Sequence, residues 1–600
     1  MAAAANRLFL GVEKSVLGKP WRDRLDGEGH ARALAIAQQH GHSDLLARVI
    51  AARGVGAQDC AAFLDPTIRA LMPDPDCLQD MQAAVDRLVS AIEKVETIAI
   101  FGDYDVDGAC AAALLAGFLT ACGTPFVIHI PDRIFEGYGP NVEAIRALAG
   151  QGARLLVTVD CGTTSLAPIE EANALGLNTL VIDHHQAPER LPQALAIVNP
   201  NRQDDLSGLG HLCATGVVYM VLVGLARALR RRSFWSASRP APDLLAGLDL
   251  VALATVADVV PLTGLNRAFV AKGLAVMRAR GRPGLAALLD AAGAGGPPSP
   301  YHLGFLAGPR INAGGRIGDA ALGAKLLLIT DPAEAAHLAA ELDRLNRERQ
   351  AIEVATVAEA EAEALASLGL AEEGAVVVTA GENWHPGVVG LVAARLKERF
   401  QRPAFAIAFA GATGTGSGRS IAGVDLGRAV RGAVEAGLLA KGGGHAMAAG
   451  LTLDRARLGD LRAYLEAELA EPVARARRGA ALFVDAALTA AGATPELVVA
   501  LERAGPFGAS NPEPVFVFPG HRLVDVAQVG AGHIRVRAAA GDGARIEAIA
   551  FRAAAGPLGQ ALMAGRGGGP IHLAGNLSIN RWGGRERVQL RLVDAALPSG

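Results

Sequence analysis

Four short apolar runs between residues 97 and 262 each end in acidic residues or histidines. The runs and the polar residues that follow them are Thr97–Phe101 before Asp103, Asp105 and Asp107; Leu155–Val159 before Asp160; Leu180–Ile182 before Asp183, His184 and His185; and Leu250–Ala257 before Asp258. Short apolar runs bounded by polar residues are typical of buried strands. In an open parallel sheet, ligands bind at the carboxyl ends of the strands. The pattern therefore predicts an α/β fold whose sheet edge gathers carboxylates and imidazoles.

Carboxylates gathered at one point repel each other unless cations lie among them. The simplest interpretation is a two-metal centre for phosphoryl-transfer chemistry. The alternative for Asp103, Asp105 and Asp107 is a calcium loop, which needs a bidentate glutamate near its twelfth position. Leu114 and Leu115 occupy that neighbourhood, and a predicted strand precedes the aspartates. Both observations favour the sheet-edge site.

The chain of 600 residues is too long for a single hydrophobic core. Its 51% hydrophobic and 20% charged residues are typical of a folded protein, and its net charge of -3 argues against a uniformly basic nucleic-acid binder. Alternating apolar runs and turn residues predict five segments. They are a helical N-terminal lead-in at 1–80, a parallel-sheet catalytic domain at 81–330, a long connecting helix at 331–370, a second α/β, substrate-binding domain at 371–475, and an OB-like β-barrel at 476–600.

The last two segments carry most of the glycine signals. The second α/β domain is predicted to contain strands at 375–379 and 404–409, a helix at 387–400, and a glycine-rich turn that ends at Gly418, Arg419 and Ser420. The terminal segment contains short alternating strands, a pattern typical of a small barrel. Residues 521–600 include ten arginines, no lysine and five acidic residues. This local positive charge predicts a surface that follows a nucleic-acid backbone.

The six cysteines form no CxxC pair and no zinc-binding spacing, which predicts reduced thiols in a cytoplasmic protein. The N-terminal stretch lacks the pattern of a signal peptide, and no run of about 18 apolar residues occurs. We therefore expect a soluble, cytoplasmic protein without membrane association.

The four runs, in this order, resemble motifs I to IV of the DHH phosphoesterase superfamily: GDYDVDG (102–108), VTVDCGT (157–163), IDHH (182–185) and ATVADVVPL (254–262). Further segments resemble its single-strand-specific exonuclease branch: GPRINAGGR (308–316), WHPGVVG (384–390), GSGRS (416–420), GGGHAMAAG (442–450) and GPFGASNPEPVF (505–516). The resemblance extends from about residue 40 to the end of the chain.

The resemblance implies two Mn²⁺ or Mg²⁺ ions. Asp105 and Asp160, with Asp103, are expected to hold one ion. Asp107, Asp160, His184 and Asp258 are expected to hold the other, so that Asp160 bridges the pair. Many superfamily members have a histidine where this chain has Phe101, which implies a weaker first site. Asp183 is expected to orient an imidazole, and His185 to contact the scissile phosphate or its leaving group.

The resemblance also implies substrate contacts. Ser417 and Arg419, with Arg133, are expected to form a pocket for the terminal phosphate. Arg310 and Arg316 are expected to bind phosphates near the metals, Asn312 of the same motif to contact substrate, and His445 to contact a phosphate. Trp384 and His385 are interpreted as groups that guide or stack on the strand. Taken singly, Arg133 and Arg316 also suit surface ion pairs, and His445 a packing role.

The implied function is a metal-dependent 5′→3′ exonuclease that degrades single-stranded DNA to 5′-mononucleotides in DNA repair and recombination, by two-metal-ion in-line hydrolysis. The alternative within the superfamily is a phosphodiesterase for nanoRNA or cyclic dinucleotides, or a pyrophosphatase, although those chains are usually shorter and lack a barrel. A non-catalytic DNA-binding scaffold is disfavoured because all the metal ligands are present. A single-strand-binding protein and a helicase are the expected partners, and the chain is expected to be a monomer.

Overall fold

The computed structural model describes residues 7–369, 372–582 and 585–598, which form two compact units. We call them the terminal unit, made of the described residues up to Leu71, Pro261–Ala268 and those from Ala480 onward, and the central unit, made of Met72–Val260 and Phe269–Gly479. The predicted boundary between residues 370 and 371 lies outside the described ranges.

The helices of the described ranges are α1 Gly27–His40, α2 Asp44–Ala51, α3 Cys60–Leu64, α4 Ile68–Leu71, α5 Met81–Glu93, α6 Val106–Cys122, α7 Val142–Gly150, α8 Leu166–Ala174, α9 Ala214–Arg231, α10 Leu248–Ala257, α11 Gly264–Arg278, α12 Pro283–Ala291, α13 Gly308–Ile317, α14 Leu322–Leu328, α15 Pro332–Leu368, α16 Val389–Phe400, α17 Leu426–Glu435, α18 Leu458–Arg478, α19 Pro495–Glu502 and α20 Pro557–Ala564. A π-helical segment, His302–Ala307, precedes α13 without a break.

The strands are β1 Trp21–Asp23, β2 Ile98–Gly102, β3 Phe126–His129, β4 Leu155–Val159, β5 Asn178–Ile182, β6 Ala196–Val198, β7 Val377–Glu382, β8 Ala404–Ala410, β9 Thr413–Arg419, β10 Lys441–Gly444, β11 Ala448–Asp454, β12 Leu482–Val484, β13 Ala486–Ala487, β14 Phe516–Val529, β15 His533–Ala539, β16 Arg545–Ala550, β17 Ile571–Trp582 and β18 Arg585–Ala596.

A parallel five-stranded sheet, in the order β3-β2-β4-β5-β6, forms the first lobe of the central unit. Strands β2 and β4 are buried along their whole length, as their continuous apolar sequences predict. The parallel sheet predicted from the apolar runs is confirmed, and the carboxyl ends of β2, β4 and β5 lie side by side.

The fourth apolar run is a helix, so its prediction as a strand was wrong. Leu250–Ala257 belongs to α10, which is buried from Leu248 to Thr255. A helix surrounded by protein on every side is apolar all round and has no amphipathic period, so its sequence cannot be told from that of a buried strand. Asp258 therefore reaches the site from the end of a helix.

The second lobe contains a mixed five-stranded sheet in the order β10-β11-β9-β8-β7. The run predicted as a glycine-rich turn is strand β9. A Cβ atom at Gly414, Gly416 or Gly418 would lie within 2.8 Å of the side chain of Phe409, Ile407 or Phe405 on β8. Glycine at alternate positions thus lets large side chains lie across the strand, a packing role that sequence patterns do not separate from a turn.

Helix α15 confirms the predicted long helix and runs for 37 residues between the two lobes. Asp331 caps its first turn by accepting a hydrogen bond from the backbone N of Glu334 at 2.8 Å. Its buried polar residues include Glu353, whose carboxylate pairs with Arg349 of the same helix and with Arg395 of α16. These pairs join α15 to the second lobe.

The terminal unit contains the predicted OB-like barrel. Strands β14, β15, β16, β18 and β17 follow each other around the barrel, and pairing of β14 with β17 closes it. Helices α1 and α2 pack into the same hydrophobic core as the barrel strands, and β1 pairs in parallel with β12. The N-terminal lead-in and the barrel therefore share one core.

None of the helices in the described ranges has both the length and the apolar character that crossing a bilayer requires.

Candidate metal centre

The carboxyl ends of β2, β4 and β5, together with the end of α10, bring the predicted ligands into contact. Three overlapping groups each place their ligand atoms within 4.8 Å of one another. The groups are Asp103, Asp105 and Asp160; Asp107, His184 and Asp258; and Asp160, His184 and His185. The predicted aspartates and histidines are thus assembled at one edge of the sheet.

The turn after β2 is fixed by hydrogen bonds at the start of α6. Asp105 caps this helix, because its Oδ1 accepts from the backbone N of Asp107 at 2.8 Å and of Gly108 at 3.1 Å. A Cβ at residue 108 would lie 2.4 Å from the carbonyl oxygen of Asp103, so the final glycine of GDYDVDG is required by close packing. The second oxygen of Asp105 remains available to a ligand.

Asp107 is held by the first residues of α9. Its carboxylate accepts hydrogen bonds from the backbone N of Ala214 at 2.6 Å and from the backbone N and the hydroxyl of Thr215 at 2.8 and 2.6 Å. These donors fix the orientation of the Asp107 carboxylate at the start of α9. The sequence analysis missed them, although Cys213-Ala214-Thr215 directly precedes an apolar helical run that marks a helix start.

His184 presents one nitrogen to three carboxylates. Its Nδ1 lies 3.1 Å from the carbonyl oxygen of Leu212, and because a carbonyl can only accept, Nδ1 carries the proton. Nε2, the nitrogen that a neutral ring then offers to a metal ion, lies 3.3 Å from Asp160, 3.6 Å from Asp258 and 3.8 Å from Asp107. Acceptors facing each other in this way suit a cation between them.

His185 forms a tight pair with Asp183. Its Nδ1 donates to Asp183 Oδ1 at 2.8 Å. Burial alone would raise the pKa of Asp183, but the hydrogen bond and charge of His185, with further bonds from Thr163, hold that pKa well below its ordinary value. Burial opposes the positive form of His185, whereas its bond to Asp183 raises its pKa to about 9. His185 is therefore a held, positively charged donor beside the carboxylates.

Tyr138 is a neighbour that the sequence analysis missed. Its hydroxyl lies 3.2 Å from the carbonyl oxygen of Asp160 and 3.2 Å from Nδ1 of His185. It follows Arg133 in the segment IPDRIFEGYG, whose Gly137 and Gly139 both have positive φ angles. Glycines that enclose one aromatic residue in a loop were the available signal for a positioned side chain.

The carboxylates of the centre are buried close together and repel one another. Burial, and then neighbouring carboxylates, raise the pKa values of Asp103 and Asp160 well above the ordinary range, and burial followed by Asp107 and Asp105 raises the pKa of Asp258 to about 9. Within the described part of the chain, the buried Oδ1 atoms of Asp103 and Asp160 have no hydrogen-bond partner. A set of oxygen ligands with one imidazole fits Mn²⁺ or Mg²⁺.

Phe101 contributes no ligand to the first group. Its side chain is fully buried in the core beneath the site, with Ala99 and Leu156, and its ring lies 5.0 Å from that of His129. The group of Asp103, Asp105 and Asp160 thus consists of carboxylates alone, whereas the second group includes His184. The expectation that the first site binds its ion more weakly stays a prediction.

Three of the predicted phosphate-binding arginines form a second cluster within the central unit. Ser417 and Arg419 face the same way on β9, and the guanidinium donates to the hydroxyl at 2.8 Å. Arg316 donates to the carbonyl oxygen of Gly387 at 3.0 Å. The guanidinium carbon of Arg133 lies 4.8 Å from the ring centroid of Tyr104. Ser417, Arg419, Arg316 and Arg133 are referred to below as the arginine cluster.

The arginine cluster is half-buried and poor in countercharge. Burial, followed by the charges of Arg133, Arg349 and Arg419, lowers the pKa of Arg316 to about 9. Burial and then Arg133 also lower the pKa of Arg419. Half-buried guanidinium groups that repel each other fit an anionic ligand, and their planar donors suit a phosphate.

The remaining predicted contacts lie outside this cluster. Arg310 pairs with Asp343 of α15 at 2.8 Å, and Asn312 is half-buried on α13. His445 follows strand β10; burial lowers its pKa, and the nearby charges of His185 and Arg431 lower it further. Their substrate contacts stay predictions.

The interpretation of Trp384 as a stacking group was wrong. Its side chain is 7% exposed, packs in the core of the second lobe and donates from Nε1 to Glu359 of α15 at 2.8 Å. Its neighbour His385 accepts a hydrogen bond from the backbone N of Gly387. An aromatic residue in a conspicuous motif can thus serve packing, which the sequence alone does not reveal.

Family models match three parts of the chain: the DHH family N-terminal domain at residues 97–255, the DHHA1 domain at 373–471 and the RecJ OB domain at 484–594. The single-stranded-DNA-specific exonuclease RecJ of Escherichia coli (strain K12) is 36% identical over 576 residues, which cover 92% of this chain and 96% of that protein.

Two crystal structures of RecJ from Thermus thermophilus are also similar. The complex with Mn²⁺ has a TM-score of 0.77 at 30% identity, over 97% of this chain and 80% of that one. The complex with Mg²⁺ has a TM-score of 0.71 at 29% identity, over 97% and 79%. The metals in these relatives are those that the ligand set described above favours. By sequence, domain content and fold, the chain belongs to the RecJ family of the DHH superfamily.

Proposed function

We propose that this chain is a metal-dependent 5′→3′ exonuclease that degrades single-stranded DNA to 5′-mononucleotides in DNA repair and recombination. The observation that carries the proposal is the pairing of a carboxylate and histidine centre with a half-buried arginine cluster in the same unit. The first suits hydrolysis of a phosphodiester, and the second suits a terminal phosphate. Relatives at this level of identity are single-stranded-DNA-specific exonucleases by name.

Two divalent cations bound at the centre would supply positive charge to the phosphoryl oxygens and lower the pKa of water. Asp103, Asp105 and Asp160 are proposed to hold one, and Asp107, Asp160, His184 and Asp258 the other. The chain fixes these ligands beforehand, through the α6 cap on Asp105 and the α9 donors on Asp107. Little reorganisation is then needed when substrate binds.

His185 is proposed to donate a hydrogen bond to the scissile phosphate. Its bond to Asp183 keeps Nδ1 engaged, so that Nε2 is the nitrogen available to substrate. Because this pair favours the protonated ring, His185 can offer a proton as charge develops on an oxygen. No covalent intermediate is required, since an activated water attacks phosphorus in line.

The arginine cluster is proposed to define the end at which hydrolysis starts. Ser417, Arg419 and Arg133 would bind the terminal 5′-phosphate, and Arg316 with Arg310 the phosphates between that pocket and the metals. His445 and Asn312 are proposed as further substrate contacts. Holding the end of the strand at a fixed distance from the centre would release one nucleotide at each cleavage.

The OB-like barrel is proposed to hold the incoming strand. Residues 521–600, most of which form the barrel, include ten arginines and five acidic residues, and OB folds bind single strands through basic grooves and stacking. We also propose a monomer that works in the cytoplasm with a single-strand-binding protein and a helicase. The absence of disulfides among the six cysteines supports a reducing compartment.

The test is digestion of a long single strand labelled at its 5′ or its 3′ end, in Mn²⁺, beside the matching duplex and a dinucleotide. Immediate release of the 5′ label as a mononucleotide, with the duplex spared, is the expected result. Cleavage of the dinucleotide alone would contradict the proposal and assign the chain to phosphodiesterases of small nucleotides.

A further inference from the structure

Two exposed aromatic rings lie on the helical segment that runs past the metal centre. Phe305 is 71% exposed and Tyr301 is 58% exposed, although both are large apolar side chains. Their rings stack on each other with centroids 5.4 Å apart and planes inclined by 23°. We call these two residues the aromatic pair. Exposing two neighbouring apolar rings to water is unfavourable, and a ligand that covered them would remove this cost.

Phe305 belongs to the π-helical segment His302–Ala307, which Tyr301 directly precedes and which packs against the end of α10. A Cβ at Gly304 would lie 3.4 Å from the side chain of Val256, and one at Gly308 would lie 3.3 Å from that of Ala257. These are the residues directly before the ligand Asp258. π-Helical turns frequently occur at functional sites because they redirect side chains.

Three sites lie in order along the helix from residue 300 to 317. At its far end, a Cβ at Gly315 would contact the carbonyl oxygen of Tyr104, beside Arg316 of the arginine cluster. Gly308, about 10 Å back along the axis, lies against Val106 and Ala257, between which the metal ligands converge. The aromatic pair begins about 5 Å further on. The turn that carries Asp103, Asp105 and Asp107 thus meets this helix between Gly308 and Gly315, and the aromatic pair lies beyond Gly308, at the end away from Arg316.

We infer that the aromatic pair is a stacking platform for bases on the 3′ side of the scissile phosphate. This inference rests on the proposed function, because a 5′-phosphate in the arginine cluster sends the rest of the strand past the metals towards Phe305 and Tyr301. Aromatic side chains stack on any base, which suits an enzyme that must accept every sequence. Stacking would hold the next nucleotides in place while the terminal one is removed.

The experiment compares the wild-type chain with the double variant Phe305→Ala, Tyr301→Ala on three 5′-phosphorylated substrates: a 12-mer, the same 12-mer with abasic sites at nucleotides two to four, and a dinucleotide. In the wild type, the abasic sites should raise KM about tenfold. The double variant should raise KM for the intact 12-mer about as much, and abasic sites should then add little further loss. Hydrolysis of the dinucleotide, which has only one base on the 3′ side of the scissile phosphate, should be affected less by the double substitution than hydrolysis of the 12-mer.

Two further variants separate stacking from a general loss of apolar surface. Phe305→Trp should retain the KM of the wild type, whereas Phe305→Leu should resemble Phe305→Ala. Val354→Ala removes a 70% exposed apolar side chain from α15 and serves as the matched control with no expected effect. Both members of the pair are exposed, so the melting temperatures of all the variants should stay close to that of the wild type.

Additive penalties from the abasic sites and the double variant would overturn the inference. An unchanged KM for the double variant would overturn it too, and would assign this surface to a protein partner instead. If the wild-type chain fails to release nucleotides from the 5′ end, the proposed function fails first. If it releases them and Phe305→Ala has no effect, only the role of the aromatic pair is refuted.

Discussion

Asp160 belongs to two of the three ligand groups, and its side chain is almost fully buried among other carboxylates. Asp160→Asn removes one negative charge and one oxygen ligand without changing the size of the side chain. Turnover should fall by at least about 10²–10³-fold. Binding of single-stranded DNA, measured by fluorescence anisotropy, should persist, because the arginine cluster and the barrel are untouched.

A loss of binding equal to the loss of turnover would place the main DNA contact on the metals. Asp249→Asn is a matched control, because Asp249 is also buried but pairs with Arg282 rather than lying in the centre. Asp249→Asn should lower the stability of the protein and leave the metal dependence of turnover unchanged.

Repulsion between the carboxylates of the metal centre also predicts how the stability of the protein depends on pH when metal is removed. In EDTA, the carboxylate of Asp258 has a pKa of about 9 in the folded chain against an ordinary value of 3.8. The folded state therefore binds a proton that the unfolded chain has released, and this stabilising contribution is lost as pH rises from about 4 towards 9. Asp258→Asn should flatten this part of the pH dependence, measured as melting temperature in EDTA.

Saturating Mn²⁺ should raise the melting temperature of the wild type more than that of Asp258→Asn, because the wild type gains stability by binding the ion and the variant gains less. If the melting temperatures of the two proteins keep the same pH slope in EDTA, Asp258 is not repelled by its neighbours.

Arg419 tests the assignment of the terminal-phosphate pocket. Arg419→Ala should remove the preference for a 5′-phosphate over a 5′-hydroxyl end, because its guanidinium is half-buried, donates to Ser417 and is repelled by Arg133. The preference is measured as a ratio of kcat/KM values for two otherwise identical strands. Arg428→Ala, on the exposed side of α17, is the control and should keep the ratio. A surviving preference in Arg419→Ala would place the pocket elsewhere.

At the scale of single residues, the sequence predicted those side chains whose chemistry allows few roles. Aspartates and histidines after apolar runs had one economical explanation, and the structure brings Asp103, Asp105, Asp107, Asp160, His184 and Asp258 together. Their hydrogen-bond partners were not predictable, because the donors at Ala214 and Thr215 lie more than a hundred residues away from Asp107. Trp384 shows the opposite error, because a residue type common in binding sites lies here in the hydrophobic core of the second lobe.

At the scale of elements, α15 joins the lobes through a buried charge network. Glu353 lies between Arg349 and Arg395, and Glu353→Ala would leave a buried guanidinium without its partner. We expect a loss of about 3 kcal/mol in stability, seen as a fall of several degrees in melting temperature. Proteolysis within α15 should accelerate in parallel.

Glu348→Ala provides the comparison on the same helix. Glu348 pairs with the exposed Arg344, and surface pairs contribute about 0–1 kcal/mol. Equal effects of the two substitutions would show that the network around Glu353 does not hold the lobes.

Elements were predictable where periodicity was present. The strands β2 and β4 and the long helix α15 had clear patterns of length and composition. The two errors have a shared cause, since neither run displays a period in its apolar residues. Leu250–Ala257 is apolar on all sides of a helix, and the glycines of β9 face large side chains on β8. Both features depend on neighbours that only the tertiary structure supplies.

At the scale of the whole molecule, the terminal unit predicts how truncations behave. Leu46 and Ile50 of α2 are buried in the same core as Phe516 and Phe518 of β14. Deletion of residues 480–600 should therefore expose the lead-in helices and cause aggregation, because each large apolar side chain loses about 1.5–3 kcal/mol on exposure. Removal of residues 1–71 as well should restore solubility, measured by size-exclusion chromatography of the two variants.

A monodisperse product from the first deletion would refute the shared core. The sequence predicted a barrel and a helical lead-in but not their association, since more than 400 residues separate β1 from β12, which it pairs with. Pairing over such a separation leaves no local pattern in the sequence.

This association has a consequence for synthesis on the ribosome. The lead-in emerges first, yet its core is completed only by strands made last. From residue 71 to the end of β18 at Ala596, synthesis at about 5–20 residues per second takes about 25–105 seconds. Throughout that time the apolar sides of α1 and α2 have no final place to pack. Nascent chains of this protein should therefore depend on ribosome-associated chaperones at their first 70 residues, long after the central unit has been translated.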